Sequence, residues 1–289
     1  MHDRRVPNPM QQIVILVHQY DAFEKGGYFL RDIAEIWREN GLRVTVLQGL
    51  EDRTNADLAI LHVDLTVVPD DYLAFVRQYP VVLNGRVEDI SKRRITANLV
   101  RRGDGYQGAV IVKTDRNCGG VMESHLVRKG TLLHRYAQRL RDRLPWGFRS
   151  RLSTSDYRIF DSVHDVPRAV WHNPDLIVER FLPERRDDYY CLRTWFFLGD
   201  RETNSVSYSK QPIVKAGNVL RREVVNEVPD ELRNIRRDLG FDYGKFDYAI
   251  VNDRVVLYDV NRTPALGGLR KERFLPSIRL LAEGIRVYL

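Results

Sequence analysis

Three oxygen-bearing side chains near the carboxyl end of the chain have the spacing of a metal site. Asp247 stands in the stretch FDYAIVND, and Asp259 and Asn261 stand in the stretch RVVLYDVN that follows it. Both stretches are apolar and β-branched, and Asn252-Asp253 between them is typical of a hairpin turn. Residues i and i+2 of a strand share a face, so we expect the three side chains to converge. Two carboxylates and an amide oxygen suit Mg²⁺, although each residue alone is more often a turn cap or a partner of arginine.

A lysine before a glycine-bearing loop forms a second candidate group. Lys113 ends the apolar stretch VIVK, and the loop after it contains Gly119 and Gly120. Glycines let backbone N–H groups approach phosphate oxygens closely, and the lysine would reach the same phosphate. The sequence has no GxxxxGK[ST] motif, so this is not a Walker-type loop. A lysine that merely extends from a strand end to solvent is the alternative interpretation.

The stretch LIVERFLPE is a candidate for holding a flat base. An apolar strand meets Glu179 and then Phe181-Leu182, with Asp187 and Asp188 shortly after. A strand that breaks here could form a hinge whose backbone groups read the edge of adenine, while Asp187 or Asp188 accepts hydrogen bonds from ribose hydroxyls. An ordinary strand end beside a solvated charge cluster is the alternative.

The elements that would position these groups fall into an α/β and α+β arrangement. The first part of the chain predicts strand, helix, strand, strand, helix, strand, which is typical of a small parallel α/β domain over residues 1–88. The next part predicts a helix over 90–103, a strand over 108–115 and a basic helix over 134–144. The remainder is rich in strands. The domain boundaries that follow are 1–88, 89–181 and 182–289.

Composition bounds the class of protein. The chain has 289 residues and a formal net charge of +7, which favours anionic partners such as nucleotides or acidic small molecules. Its two cysteines, Cys118 and Cys191, form no CxxC or Cys/His cluster, so structural zinc is not expected. The first apolar run is too short for a signal peptide or membrane helix, which predicts a cytoplasmic protein without a membrane partner. The basic residues lack interleaved aromatic residues, so nucleic-acid binding ranks last.

The order of these signals, from Lys113 through the glycines and Glu179 to Asp247 and Asp259-x-Asn261, resembles the ATP-grasp superfamily. The resemblance is to its carboxylate–amine ligases, which include glutathione synthetase, ribosomal-protein glutamate ligase and D-alanine–D-alanine ligase. It covers nearly the whole chain and implies an ATP-grasp fold preceded by a pre-ATP-grasp parallel α/β domain. The family usually has glutamate at the position of Asp259, which makes bridging of two ions less certain.

The resemblance also implies roles for particular residues. ATP and Mg²⁺ are the implied cofactors, with Asp247, Asp259 and Asn261 as magnesium ligands. The residues that would contact the nucleotide are Lys92 and Lys113 at the phosphates, Gly119 and Gly120 in the closing loop, Glu179, Arg180, Phe181 and Leu182 at the adenine, and Asp188 near the ribose.

The implied activity is an ATP- and Mg²⁺-dependent ligation of a carboxylate to an amine through an acylphosphate. Arg193, Lys215 and Arg262 are candidates to hold phosphate or an acidic substrate. The substrates would be small-molecule or peptide carboxylates and amines, and a homodimer is possible. A small-molecule kinase on the same scaffold and a non-catalytic nucleotide- or anion-binding protein stay open as alternatives.

Overall fold

The computed structural model describes residues 11–126, 143–266 and 271–289. Three sheets with short helices make up this part of the chain: one parallel and two antiparallel. The expected mixed α/β and α+β class is confirmed.

The N-terminal sheet is parallel throughout. Its elements in chain order are β1 (Gln12–Val17), α1 (Phe29–Glu39), β2 (Arg43–Gln48), β3 (Leu58–Leu61), α2 (Asp70–Val76) and β4 (Val81–Leu83). The strands lie in the order β2-β1-β3-β4. The central strands β1 and β3 are almost wholly buried because helices and other elements cover both faces, as their continuous apolar sequences require. The predicted order of elements in this region is confirmed.

The middle of the chain forms a smaller antiparallel sheet. Its elements are α3 (Lys92–Ile95), β5 (Val110–Thr114), α4 (Val121–Leu126), β6 (Arg158–Phe160), α5 (Arg168–Trp171) and β7 (Leu176–Arg180). The strand order is β6-β5-β7. Its apolar cluster contains buried residues only from the segment 100–178, so this sheet packs around a core of its own.

The predicted helix over 90–103 is wrong beyond its first turn. Only α3 is helical, and the backbone of Thr96 is extended. The Thr96 hydroxyl accepts from the N–H of Asn98, and the N–H of Val100 donates to the carbonyl of Val178 at 2.9 Å. Pairing with β7 therefore overrides the helical pattern, helped by polar side chains that compete for the backbone. The predicted basic helix over 134–144 lies almost entirely outside the described residues.

The C-terminal sheet is the largest. Its elements are β8 (Glu184–Arg186), β9 (Tyr189–Leu198), β10 (Arg201–Ser209), β11 (Arg221–Val225), α6 (Asp230–Leu239), β12 (Tyr243–Val251), β13 (Arg254–Asn261) and α7 (Leu275–Glu283). The order is β11-β10-β9-β12-β13, with β8 paired to β9. Asn252 and Asp253 have φ values of 50° and 61°, as a tight hairpin turn between β12 and β13 requires. The predicted hairpin is confirmed.

The N-terminal and C-terminal regions share one apolar core. Leu281 and Ile278 of α7 pack in the same cluster as Trp37 and Leu30 of α1. The Trp37 indole N–H also donates to the carbonyl of Ala282 at 2.8 Å. These two regions therefore share one continuous core, whereas the middle sheet has its own. The exact boundaries at 88 and 181 stay a prediction.

Among the described residues, the helices are all too short or too polar to cross a bilayer.

His62 lies at the centre of the shared core. It is fully buried, and among the described residues neither ring nitrogen has a hydrogen-bond partner. The rings of Phe23 and Tyr28 pack against it edge-on, with centroids 5.3 and 4.9 Å away. Burial, and secondarily the charge of Arg262, lower the pKa of His62 to about 3. The histidine is therefore neutral in the folded protein at all mildly acidic pH values.

This burial predicts a specific acid sensitivity. The unfolded chain binds a proton at His62 near pH 6.5 and the folded chain does not, so stability is present above pH 6.5 and is lost as pH falls toward 3. By pH 5 the loss attributable to His62 is about 2 kcal/mol. We expect His62→Leu to remove this component, which denaturant unfolding of both proteins between pH 8 and 5 would measure. Parallel stability profiles for the two proteins would contradict the assignment.

Candidate functional site

A cavity of about 590 Å³ lies between the middle sheet and the C-terminal sheet. This volume is within the usual range for small-molecule sites. Nine of the residues singled out from the sequence line it: Lys92, Lys113, Gly119, Arg180, Phe181, Leu182, Lys215, Asp247 and Asp259. The cavity therefore collects groups that are more than 150 positions apart in the chain.

Asp247 and Asp259 face each other across the hairpin. They are direct partners in the antiparallel pairing of β12 and β13, and a register shift follows Asp247. The Lys245 ammonium lies 2.7 Å from one oxygen of Asp247, and the Thr194 hydroxyl donates to the other at 3.0 Å. The Lys92 ammonium lies 3.1 Å from Asp259. The two carboxylates thus stand side by side in the cavity, each with a neutralising cation.

Asn261 is less available than these two carboxylates. Its side-chain oxygen accepts from the Thr263 N–H at 2.8 Å, and it does not line the cavity. Asp247 and Asp259 are hard oxygen donors that fit a divalent cation such as Mg²⁺. Asn261 would join them only if its oxygen left Thr263. Among the described residues no group of three His, Cys, Asp or Glu side chains forms an alternative metal site.

Lys113 points into the cavity from the middle sheet. Its ammonium lies 2.6 Å from Glu179, whose carboxylate is almost fully buried. The pairing of Ile111 with Glu179 places Glu179 diagonally across from Lys113 on the same face of the sheet. The ring of Tyr258 lies below the ammonium at 5.3 Å. A buried acid and an aromatic face therefore hold the cation where an anionic ligand can meet it.

Lys92 connects the two walls of the cavity. Its ammonium contacts Asp259 of the C-terminal sheet and donates to the carbonyl of Arg116, at the entry to the glycine loop, at 3.2 Å. Burial disfavours the charged form, but the Asp259 carboxylate outweighs it and raises the pKa of Lys92 above its ordinary value. Lys92 is therefore a permanent cation between the acids and the loop.

The glycine loop requires its glycine. Gly119 has φ +68°, and a Cβ there would lie 2.3 Å from the carbonyl oxygen of Leu152. Gly120 has φ +76° and does not line the cavity. The N–H of Asn117 donates to the Thr66 hydroxyl at 2.9 Å, so the N-terminal region anchors the start of this loop.

Cys118 stays a thiol. It lines the cavity and is partly exposed to solvent, and the surrounding protein together with the nearby carboxylates of Asp64 and Asp259 raises its pKa. A thiol that keeps its proton is a poor nucleophile, so covalent catalysis through Cys118 is not supported.

The hinge segment crosses one end of the cavity. The N–H groups of Arg180 and Phe181 donate to the carbonyls of Asn98 and Ala109, both at 2.8 Å. The Tyr258 hydroxyl donates to the carbonyl of Leu182 at 2.7 Å. The hinge backbone is therefore fixed from both sheets, with Phe181 and Leu182 against the cavity.

Two predicted site residues are held by protein groups outside the cavity. Arg193 forms two hydrogen bonds to the buried Glu184, at 2.7 and 2.9 Å. Arg262 is fully buried and donates to the carbonyls of Val87 and Thr66 at 2.5 and 2.8 Å. Burial lowers the pKa of Arg262 to about 10. The geometry favours structural positions for both arginines.

Asp188 also lies away from the cavity. Its side chain is 88% exposed and its nearest cation is Lys210 at 3.6 Å. Glu179 does not line the cavity itself, but it contacts Lys113, which does.

The cavity has charged residues that sequence reasoning missed. Lys245 lines it beside Asp247. Burial alone would lower the pKa of Lys245, but the Asp247 carboxylate outweighs burial and raises that pKa. Its position two residues before Asp247 in one strand is a signal that could have found it. Arg222 and Arg273 add positive charge at the end of the cavity that Phe29 lines. No local motif distinguishes these arginines from surface ones.

Comparison with solved structures identifies the fold. The structure of the ATP-grasp ligase PsnB complexed with a minimal precursor superimposes with a TM-score of 0.53 at 10% sequence identity, covering 96% of this chain and 99% of that one. The chain has the ATP-grasp fold. No protein-family model matches the sequence, and no curated protein sequence matches it either.

Two further ATP-grasp structures are similar. A RimK-domain ATP-grasp protein from Sphaerobacter thermophilus has 12% identity and a TM-score of 0.49, covering 95% of this chain and 99% of its own. D-alanine–D-alanine ligase from Bacillus anthracis, solved with ATP, has 10% identity and a TM-score of 0.46, covering 96% and 95%.

In this ATP-grasp fold, the pair formed by Arg193 and Glu184 can be tested as a structural unit. Arg193→Met should destabilise the protein by about 1–3 kcal/mol, because the buried Glu184 carboxylate then keeps only Arg186 and the Ile250 N–H as partners among the described residues. The double variant Arg193→Met, Glu184→Gln, which keeps an acceptor for the Ile250 N–H, should recover part of that stability and keep ATP affinity near the parent value. Denaturant unfolding and calorimetric ATP titration measure the two quantities. A double variant that is stable but has lost ATP binding would show that Arg193 takes part in ATP binding.

Proposed function

We propose that this protein is an ATP- and Mg²⁺-dependent ligase that joins a carboxylate to an amine. The observation that carries the proposal is one cavity in which the paired carboxylates Asp247 and Asp259 stand with the ammonium groups of Lys92 and Lys113, beside a hinge that fits a base. The carboxylates suit a metal ion, and the ammonium groups suit phosphates. Because both lie in the same small volume, the cavity fits a metal–nucleotide complex better than either ligand alone.

The nucleotide would lie along the cavity with its base against the hinge. Phe181 and Leu182 supply apolar contact there, and the Leu182 N–H is the candidate donor to the base, since those of Arg180 and Phe181 already bind protein carbonyls. Lys113 would meet the phosphates, and the Gly119 loop would cover them.

Asp247 and Asp259 would hold the divalent cation, which when bound supplies positive charge to the phosphate oxygens. Lys92 and Lys245 keep the two carboxylates neutralised and oriented toward the cavity.

The proposed chemistry has two steps. A substrate carboxylate oxygen bonds to the γ-phosphorus of ATP as the bond to the β-phosphate oxygen breaks, giving an acylphosphate and ADP. A neutral amine then attacks the acyl carbon, phosphate leaves, and the amine loses its proton. In such transfers the protein mostly positions the reactants and neutralises charge. Lys113, Lys215, Arg222 and Arg273 are among the cations of this cavity available for that task.

The end of the cavity that Phe29 lines supports an acidic substrate, whose size the structure does not specify. Phe29 of the N-terminal region and Phe274 form apolar walls there, and Lys215 and Arg222 add positive charge. PsnB is described as bound to a minimal precursor, which keeps peptides among the substrates to be tried.

Two alternatives remain, each with its own outcome. A small-molecule kinase would convert ATP to ADP with one substrate and release no free phosphate. A nucleotide- or anion-binding protein would bind Mg·ATP without any turnover.

The test of the function is a phosphate-release screen of carboxylic acids, amino acids and peptides with Mg·ATP. We expect release that depends on the presence of both an acid and an amine. ADP formation with a single substrate and no free phosphate would favour the kinase instead. ATP binding without ADP formation across a broad panel would favour the non-catalytic alternative.

The metal assignment predicts that Asp259→Asn lowers turnover by about 100-fold or more, because charge stabilisation by a bound cation is worth several kcal/mol. Asp188→Asn is the matched control, since this exposed carboxylate lies outside the cavity, and it should keep full activity. Calorimetry of ATP with and without Mg²⁺ provides a readout independent of turnover. An Asp259→Asn variant whose ATP affinity still rises with Mg²⁺ as in the parent would refute the assignment.

The phosphate role of Lys113 is tested without leaving Glu179 as an unpaired buried acid. The double variant Lys113→Met, Glu179→Gln should fold and bind ATP at least about tenfold more weakly, the loss of one charge-assisted contact of 1.5–3 kcal/mol. Calorimetric titration of ATP measures the change. Unchanged affinity would count against a contact between Lys113 and the phosphates.

A further inference from the structure

A separate cavity of about 340 Å³ lies on the opposite face of the C-terminal sheet. Successive residues of a strand face opposite sides of a sheet. Thr194 and Phe196 of β9 line the cavity of about 590 Å³, which we call the nucleotide cavity after its proposed ligand, whereas Trp195 lines this one together with Phe241. The two cavities share no lining residue among those described. We call the second one the arginine pocket, because four arginines line it: Arg86, Arg233, Arg236 and Arg237.

The arginine pocket has more cations than anions. Glu202 neutralises only Arg233, through contacts of 2.6 and 2.7 Å. The one carboxylate that lines the pocket, Asp242, is engaged by the Asn84 N–H at 2.7 Å and by the Tyr288 hydroxyl at 3.2 Å. Counting both acids, two guanidinium groups are left in excess.

Arg236 is held in place at the pocket without a carboxylate. It donates to the carbonyls of Phe241, Gly199 and Asp242 at 2.9–3.0 Å, and its guanidinium lies 4.0 Å from the centre of the Phe197 ring. Burial lowers the pKa of Arg236, as expected of a cation that lacks a full counter-charge. Its Nε and Nη2 groups are engaged by these carbonyls, so Arg236 supplies mainly a fixed positive charge to the pocket.

Arg86 reaches the pocket from a different part of the chain, the segment after β4. Gly240 ends α6 with φ +75°, and a Cβ there would lie 2.9 Å from the Cβ of Arg86 and 3.3 Å from its Nε. The glycine therefore lets the Arg86 side chain lie across the end of the helix. The partial negative charge of a helix C-terminus accounts for Arg236 and Arg237 in the last turn, but it does not require a fourth arginine from outside the helix.

We propose that the arginine pocket binds a phosphate group, either as inorganic phosphate or as part of a small phosphorylated molecule. The planar guanidinium fork matches phosphate oxygens through paired hydrogen bonds, and arginine is the residue of choice for such contacts. The pocket volume lies at the lower end of the range for ligand sites, which suits a small anion. This site is independent of the proposed ligase activity.

The test measures anion binding to the full chain by calorimetry at constant ionic strength. Inorganic phosphate, pyrophosphate and O-phosphoserine are titrated separately, with chloride as the non-specific control. Arg86→Gln, Arg237→Gln removes two exposed arginines of the pocket and leaves Arg236 in place. Arg279→Gln, Arg286→Gln removes two exposed arginines near the C-terminus and is the matched control. We expect at least tenfold weaker phosphate binding in the first variant and no change in the second.

A third variant separates this pocket from the nucleotide cavity. Lys113→Met, Glu179→Gln should keep the phosphate binding that Arg86→Gln, Arg237→Gln loses. If the pocket variant does not fold, Arg86→Lys, Arg237→Lys keeps the charge but removes the fork and should weaken binding severalfold. Stronger binding of phosphoserine than of phosphate would identify a phosphorylated molecule as the occupant, and the reverse would identify free phosphate. Binding that only the Lys113 variant loses, an equal response to chloride, or no binding at all would overturn the proposal.

Discussion

The cavity depends on the ion pair between Lys92 and Asp259, because it is the charge contact that joins the middle sheet to the C-terminal sheet inside the site. Removing charged groups from water is costly, and the cost is offset only when each has a partner. Here Asp247 finds Lys245 on its own strand, whereas Asp259 takes its partner from the opposite wall. The contact that joins the two walls therefore also neutralises Asp259, and both carboxylates are held in place in the cavity.

The N-terminal region supports the site from behind through short polar contacts. Asp64, which follows strand β3, accepts from the hydroxyl of Thr263 at 2.6 Å, and the Thr263 N–H donates to the side-chain oxygen of Asn261. Thr66, two residues later, accepts from Asn117 at the start of the glycine loop. The segment after strand β3 thus orients both the end of strand β13 and the glycine loop. Because that sheet shares its core with α7, movement of the loop would have to disturb a packed interior.

Sequence reasoning succeeded where the information was local. The residue types of the Asn252-Asp253 turn predict the hairpin, which the structure has. The register shift after Asp247, which pairs Asp247 with Asp259 instead of with Tyr258, has no such local signal. Sequence reasoning also could not detect competition for a side chain. Arg193 alternates with the cavity-lining residues Leu192 and Thr194, so it lies on the other face of the strand, where the buried Glu184 binds it. The engagement of Asn261 by Thr263 is a two-residue contact typical of asparagine, so that one was accessible to sequence reasoning.

Strand β9 contributes to both cavities, since its alternate residues face opposite sides of the sheet. Thr194 positions Asp247 in the nucleotide cavity, and its neighbour Trp195 backs the arginine pocket. A slip of one residue would bury the threonine in the aromatic core around α6 and turn the indole toward the acids. The pairing of β9 with β10 on one side and β12 on the other prevents this slip. The register of a single strand therefore determines whether either site exists.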